Sequence, residues 1–300
     1  MEQTVVDVND LSRSFGAKHA LDGVSFRATA GQVYGLVGAN GAGKTTLMKH
    51  LLGLLRAATG SVRVFGLDPV RDPVGVLGRV GYLSEEREMP EWMRLDELMA
   101  FTQAFHPTWD ASYARELIET FGLDPAKKIK QLSKGMRAQA GLVAAVAHRP
   151  ELLILDEPSS GLDAVVRRDI LDAIVRTVAD DGRTVMFSSH LLDEVERMSD
   201  HVTMIHHGRV TLSGPLDAVR RGYQRSRVRF VEHFDQPPVL ETALAMEGSG
   251  RFWSVIHSGS IEQFHHAVLA LGGEVVESRD ATLEEVFLAR AGRDREPVEA

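Results

Sequence analysis

The 300-residue sequence contains no cysteine, which removes disulfides, thiolate metal sites and cysteine nucleophiles at once and leaves a reducing compartment open. It also lacks any apolar run long enough to cross a bilayer. Its most apolar stretches, residues 141–147 and 152–155, fall far short of the roughly 20 residues a spanning helix needs. The opening MEQTVVDVND has neither the basic flank nor the apolar core of a secretory signal, so the chain is expected to stay in the cytoplasm. There is no surplus of positive charge. Lysine and arginine total 34 against 42 aspartates and glutamates, a formal charge of −8, which argues against a chain built mainly to hold nucleic acid. Neither a fixed-period repeat nor an acidic or basic tail is present.

Apolar material is ample at 44% of residues, enough for one large or two modest packed domains. Apolar and polar positions alternate early in the chain, as at Val6, Val8, Leu21, Val24 and Phe26, and predict an antiparallel opening element. Residues 32–37 form a short apolar run ending in a glycine-rich turn over 38–43, and helical spacing follows over 45–55. Helical patterns recur over 94–105, 112–121, 135–148, 165–178 and 191–198. Residues 152–155, 184–188 and 202–206 read as buried strands, so an α/β layer is expected. The pattern breaks around Gly214 and Pro215. A boundary near Gly222 gives domains at residues 1–221 and 222–300. In the second, strands at 252–256 and 274–277 and helices at 261–271 and 283–288 describe a small α+β unit. The arginine-rich segment 220–229 reads as a solvated linker, with RNA or anionic lipid binding as the alternative.

Gly38-Ala39-Asn40-Gly41-Ala42-Gly43-Lys44-Thr45 fits G-x-x-x-x-G-K-[ST], a loop whose backbone N–H groups and following helix N-terminus cradle the phosphates of a nucleotide. Lys44 is expected to reach the β- and γ-phosphates as a point charge, and the Thr45 hydroxyl to ligate Mg²⁺. Gly38, Asn40, Gly41, Ala42, Gly43 and Thr46 complete the expected binding set. A plain glycine turn is the bland alternative. The apolar strand at 152–155 then runs into Asp156 and Glu157, two carboxylates at the strand end where open α/β sheets hold ligands. Asp156 is expected in the magnesium shell and Glu157 as the group that polarises the attacking water.

Between these segments, Leu132-Ser133-Lys134-Gly135-Met136 resembles the signature sequence of ATP-binding cassette (ABC) ATPases, usually written LSGGQ. Ser160-Gly161-Leu162-Asp163 is similar to that family's D-loop, Ser188-Ser189-His190 to its switch histidine, and Gly81-Tyr82-Leu83-Ser84-Glu85 to its Q-loop. Phe15 sits where the family places an adenine-stacking aromatic. The resemblance implies a P-loop NTPase core of ABC type with an antiparallel β subdomain and a helical subdomain, plus the small α+β C-terminal domain. It implies ATP hydrolysed with Mg²⁺, and a head-to-tail homodimer or heterodimer in which Ser133 and Gly135 contact a γ-phosphate held by the other protomer. Through it Asp163 joins the nucleotide-binding residues, Glu85 joins Thr45 and Asp156 around the metal, and His190 joins Glu157 and Lys44 in catalysis.

Two departures mark the sequence. Lys134 and Met136 replace the common glycine and glutamine of the signature, so the glutamine's hydrogen bonds are missing while the Ser133 and Gly135 contacts survive. Glu85 replaces the usual Q-loop glutamine and is followed by Glu86, which leaves open which of the two faces the metal. Both departures resemble those of the ATPase subunits of bacterial ABC-2 type exporters. That subgroup implies separately encoded integral membrane permease subunits and a place on the inner face of the cell membrane. Residues 89–105 are then expected to shape a docking groove, with Trp92, Met93, Leu95 and Leu98 either facing a permease or forming ordinary helical core. The rival class is a soluble cassette acting on ribosomes or nucleic acid. Its usual second cassette or long inserted coiled coil is missing from the sequence, so no nucleic acid partner is expected. Near the end, Thr282 and Glu285 stand at capping-box spacing before an amphipathic helix.

Overall fold

The computed structural model describes residues 3–86 and 88–293. In chain order its elements are strands β1 (Thr4–Phe15), β2 (Lys18–Thr29) and β3 (Val33–Val37), helix α1 (Lys44–Leu51), β4 (Thr59–Val64), α2 (Pro73–Leu77), β5 (Val80–Leu83), α3 (Leu95–Gln103), α4 (Ala111–Thr120) and α5 (Lys134–Val146). They continue with β6 (Leu152–Leu155), α6 (Ala164–Asp181), β7 (Thr184–Ser189), α7 (Leu192–Met198), β8 (His201–His206) and β9 (Arg209–Pro215). The last group is α8 (Leu216–Gly222), β10 (Tyr223–Phe234), β11 (Ala243–Ser258), α9 (Ile261–Ala270), β12 (Gly273–Asp280) and α10 (Leu283–Arg293). Among the described residues no helix is long and apolar enough to cross a membrane.

The chain divides into compact units at Met1–Ser213 and Gly214–Ala300. This division falls ahead of the Gly222 boundary expected from sequence. Leu216 and Val219 give α8 a buried face, and α8 runs straight into β10 with no loop between them.

In the first unit six strands form one sheet in the order β5-β6-β7-β3-β8-β9. The pairs β5/β6, β6/β7, β7/β3 and β3/β8 are all parallel. Strands β3, β6 and β7 are buried at every residue, as expected for strands covered on both faces. Parallel strands all end on one edge, so this order sets four loops side by side. They are the segment after Leu83, the Asp156–Glu157 pair after β6, His190 after β7 and the glycine loop after β3. Register sharpens the placement: Leu83 lies opposite Leu155, Leu155 opposite Phe187, and Val37 opposite Ser189.

A second, antiparallel sheet has the order β2-β1-β4. Its Val6, Val8, Leu21 and Val24 share one apolar core with Leu47 and Leu51 of α1 and with Leu36 and Ile154 of the parallel sheet. Helices α3, α4 and α5 build a separate core from Leu95, Leu98, Ile118 and Val143, joined by Ile129 from the connection between α4 and α5. Leu95 and Leu98 are therefore core residues and not docking residues, because helical spacing turns them inward onto α5. Trp92 is 67% exposed, and Phe101 and Phe105 are also exposed.

In the second unit the sheet order is β11-β10-β12, all antiparallel. Val228, Phe230, Trp253 and Val255 pack on Phe264 and Val268 of α9. The segment expected as a linker is largely strand β10. Ser226, Val228 and Phe230 point inward, while Arg227 and Arg229 alternate outward and pair across the sheet with Glu277 and Glu274. Alternating arginines on a half-buried strand leave the charge density of a solvated linker, which is why composition alone misreads it. Glu285 and Thr282 do form a capping box, with the Thr282 N–H donating to Glu285 Oε2 at 2.9 Å and the Glu285 N–H to Thr282 Oγ1 at 3.3 Å.

His148, just beyond α5, is buried and stacked on His106 at 3.8 Å, and its Nε2 lies 3.2 Å from the Val80 carbonyl, whose strand is β5. Burial, with His106 second, pushes its imidazole down to about 4, so the folded chain keeps it neutral where the unfolded chain binds a proton. Stability from this site is full above the ordinary value of 6.5 and declines as the pH falls toward 4. His148→Gln is expected to flatten that acid-side decline by roughly 2 kcal/mol. Urea unfolding of both chains at pH 7.5 and pH 5 checks it.

Candidate active site

The glycine loop is shaped by two close approaches. At Gly38 a Cβ would stand 2.4 Å from the Ile205 carbonyl oxygen of β8, so only glycine lets the loop lie against that strand. Gly43 caps α1 at φ +115°, a conformation L side chains rarely adopt, and a Cβ there would meet the Ala20 carbonyl oxygen at 2.4 Å. The loop encloses a cavity of about 410 Å³ lined by Asn40, Gly41, Ala42, Gly43, Lys44, Thr45 and Thr46. Phe15 and Lys18 from the β1–β2 hairpin, Ala20, Glu85 and Glu157 complete the lining. Glu86 lies instead in a neighbouring groove with Lys134 and Arg137, which Glu85 also borders.

Lys44 is 6% exposed and its ammonium lies 3.0 Å from Glu157 Oε1, an ion pair more than an aligned hydrogen bond. The same ammonium donates to the Gly38 carbonyl at 2.6 Å and, more weakly, to the Ala39 carbonyl at 3.4 Å. Glu157 is buried, and its other oxygen, Oε2, is 2.7 Å from His190 Nδ1 and accepts the His190 backbone N–H at 3.4 Å. Its backbone has φ +47°, a strained conformation for a residue with a Cβ. The strain is fixed by the Glu157 N–H, which donates to Ser188 Oγ at 2.9 Å, and by the Ser188 hydroxyl, which donates to Asp156 Oδ1 at 2.7 Å. Asp156 is 1% exposed, and its Oδ2 is buried with no hydrogen-bond partner. Burial, reinforced by the charges of Asp156 and Glu86, pushes the neighbouring Tyr82 hydroxyl up to about 12.

Ser133, Gly135 and Asp163 lie outside the lining of this cavity. Ser133 caps α5, its Oγ accepting the Met136 N–H at 3.2 Å, and Gly135 is buried against Val166 of α6. Asp163 Oδ1 accepts the N–H groups of Val165 and Val166 at 3.0 Å and so caps α6. Gly38 and Asp156 stand behind the lining, and His190 reaches it through Glu157. Lys18 and Ala20 are the lining residues that sequence reasoning did not single out. The signal for Lys18 is the turn at Gly16, which pairs Lys18 with Phe15 across the hairpin.

A family model described as ABC transporter matches residues 21–160. Over the full length of both chains the sequence is 33% identical to the daunorubicin resistance ATP-binding protein DrrA3 of Streptomyces coeruleorubidus. It is 28% identical to the ABC transporter ATP-binding protein YtrB of Bacillus subtilis, over 97% of this chain and 99% of that one. The bacitracin transport ATP-binding protein BcrA of Bacillus licheniformis is 30% identical over 73% of this chain and 72% of its own length. Among solved structures, an ATP-binding subunit of an ABC transporter matches with a TM-score of 0.67 at 31% identity, covering 72% of this chain and 92% of that one. A dimeric ATP-binding cassette bound to ADP and Pi shares the fold with a TM-score of 0.63 at 18% identity, covering 70% of this chain and 98% of that one. Fold and site together define a P-loop ATPase. The chain belongs to the ABC transporter family, as an ATP-binding and ATP-hydrolysing member.

Gly38→Ala forces a Cβ into the Ile205 carbonyl and must displace the loop. Its ATP affinity, measured by equilibrium titration with a fluorescent ATP analogue, is expected to fall by at least about tenfold.

Proposed function

We propose that this chain is the cytoplasmic ATP-hydrolysing subunit of an exporter, acting as a dimer on the inner face of the membrane and driving separately encoded integral membrane permease subunits. The observation that carries the chemistry is the buried Lys44–Glu157 ion pair, held on its other side by the exposed His190, at the mouth of a phosphate loop. The exporter assignment is supported by the relatives named for daunorubicin resistance and bacitracin transport.

In this reading Lys44 exchanges Glu157 for the β- and γ-phosphates, whose charge outcompetes a single carboxylate. That exchange frees Glu157 Oε1 to accept a proton from the attacking water, while Oε2 stays on His190. Water oxygen bonds to the γ-phosphorus, the bond to the bridging oxygen breaks, and ADP and phosphate leave. His190, half held by Glu157, reports whether the γ-phosphate is present. Phe15, whose ring is stacked by Arg13 at 5.0 Å and remains 48% exposed, offers its face to adenine.

The donor set suits Mg²⁺, because the Asp156 Oδ2 atom is buried and unpartnered behind the lining of the cavity and Thr45 is part of that lining. Glu85, which lines the cavity as Glu86 does not, is the third oxygen donor on that side. Bound there, the ion supplies charge neutralisation on the phosphates. Ser133, Gly135 and Asp163 face the γ-phosphate of a second protomer, which accounts for their position outside their own chain's cavity. The exposed Trp92, Phe101 and Phe105 are the apolar surface offered to the permease.

Glu157→Gln is expected to bind ATP normally and to lose at least about 100-fold in turnover, and Lys44→Ala to lose both. Near-normal turnover by the Glu157→Gln chain contradicts the assignment. When tagged Glu157→Gln is recovered from its native host in mild detergent with ATP and magnesium, a polytopic membrane protein should co-purify. Recovery of ribosomes or DNA-bound factors instead overturns the exporter reading.

A further inference from the structure

Glu194, on α7, is a buried carboxylate with no part in the chemistry above, and it is 2% exposed. Its Oε2 accepts hydrogen bonds from the hydroxyls of Ser159, at 2.7 Å, and Ser189, at 3.0 Å. Ser159 lies two residues beyond Glu157, immediately before the D-loop segment. Ser189 immediately precedes His190, and its Oγ also accepts the Leu191 N–H at 3.0 Å. One oxygen atom therefore grips both segments that deliver the Glu157–His190 contact. The other, Oε1, is buried with no hydrogen-bond partner and faces Arg167 Nε of α6 at 3.6 Å, an atom that is itself buried and without a hydrogen bond.

A buried charge of this kind adds little net stability once its desolvation is counted. What it does supply is register, since two hydroxyls sharing one acceptor atom allow few relative placements of the segments that carry them. The Arg167 pair adds a second effect. Asp163 caps α6 and Arg167 stands one turn further along it. A movement of α6 toward α7 by roughly 0.7 Å would convert the loose pair into a charge-assisted hydrogen bond of about 2.9 Å.

We infer that Glu194 is a positioning residue that sets the Glu157–His190 geometry and ties the switch-histidine strand to the D-loop segment at the head of α6, so that the two shift together. This rests on the roles proposed above for Glu157 and His190. Glu194 touches neither nucleotide nor water; it acts through Ser159 and Ser189.

The test is steady-state ATP hydrolysis by the full chain, with nucleotide affinity and thermal midpoint measured on the same samples. Glu194→Ala is expected to lower kcat by about tenfold or more while KM and the affinity for a fluorescent ATP analogue stay within about twofold. Glu194→Gln keeps an acceptor oxygen for both hydroxyls and should recover kcat to within about threefold of wild type. On a His190→Ala background, Glu194→Ala should add almost nothing, the non-additivity of residues that act as a unit. A folded Glu194→Ala chain with kcat within about twofold of wild type overturns the inference. Should that variant fail to fold, the Ser159→Ala/Ser189→Ala double variant decides by the same criterion. Losses of kcat and nucleotide affinity that run in parallel with a lowered thermal midpoint also overturn it, since they assign a structural role only. Glu157→Gln run alongside separates the two levels. If it is inactive while Glu194→Ala is normal, the positioning role alone fails; if it turns over like wild type, the reading of the site fails and this inference with it.

Discussion

The site depends on one buried interaction, the carboxylate of Glu157 held between the Lys44 ammonium and the His190 ring. All three groups lie just beyond the strand ends at one edge of a parallel sheet, and they meet only because the strand order places β6, β7 and β3 side by side. The backbone at Glu157 is strained at φ +47°, and the Ser188 hydroxyl holds it there by taking the Glu157 N–H and giving its own proton to Asp156. Burial makes the pair exacting. A lysine and a glutamate taken out of water are tolerable only while each has a partner. In the proposed function an incoming triphosphate would offer the lysine a better one and leave Glu157 Oε1 free while Oε2 stays on His190, the condition a general base needs.

The sequence made this site legible because its motifs are local. The glycine loop is eight consecutive residues, and the two carboxylates directly follow an unbroken apolar strand. The α/β class, the family and the buried strands at 152–155, 184–188 and 202–206 were readable for the same reason, since period and apolar runs survive in one dimension. Strands β4 and β5 carried no such signal, β4 being polar in part and β5 only four residues long. Strand β10 was masked by its arginines, whose partners Glu274 and Glu277 lie more than forty residues away. Distance in sequence also hid Lys18, which reaches the cavity through a hairpin, and Glu194, which joins positions 159 and 189. Leu95 and Leu98 show the opposite limit, since a helical apolar stripe reads alike whether it meets a partner or the chain's own core.

The departures from the common signature acquire a physical setting in the fold. Met136 is half-buried against the core of the helical region, where a thioether packs and a glutamine amide would need partners. The Lys134 ammonium lies within 2.1 Å of where a Cβ on Gly161 would stand, so the signature helix and the D-loop segment touch within one chain. Together with the hold of Glu194 on Ser159, this places contacts from α5 and α7 at positions 161 and 159 of the segment that follows Glu157. In the dimer proposed above, these contacts would offer a route by which the state of the γ-phosphate reaches the facing protomer.

In the proposed function Lys44 changes partner when nucleotide binds. A crystal structure of the wild-type chain with a non-hydrolysable ATP analogue and magnesium tests it directly. The Lys44 ammonium is expected on the β- and γ-phosphates, Asp156 turned to the metal, and Glu157 still in contact with His190. Nucleotide bound in the glycine loop with Lys44 still paired to Glu157 would contradict it.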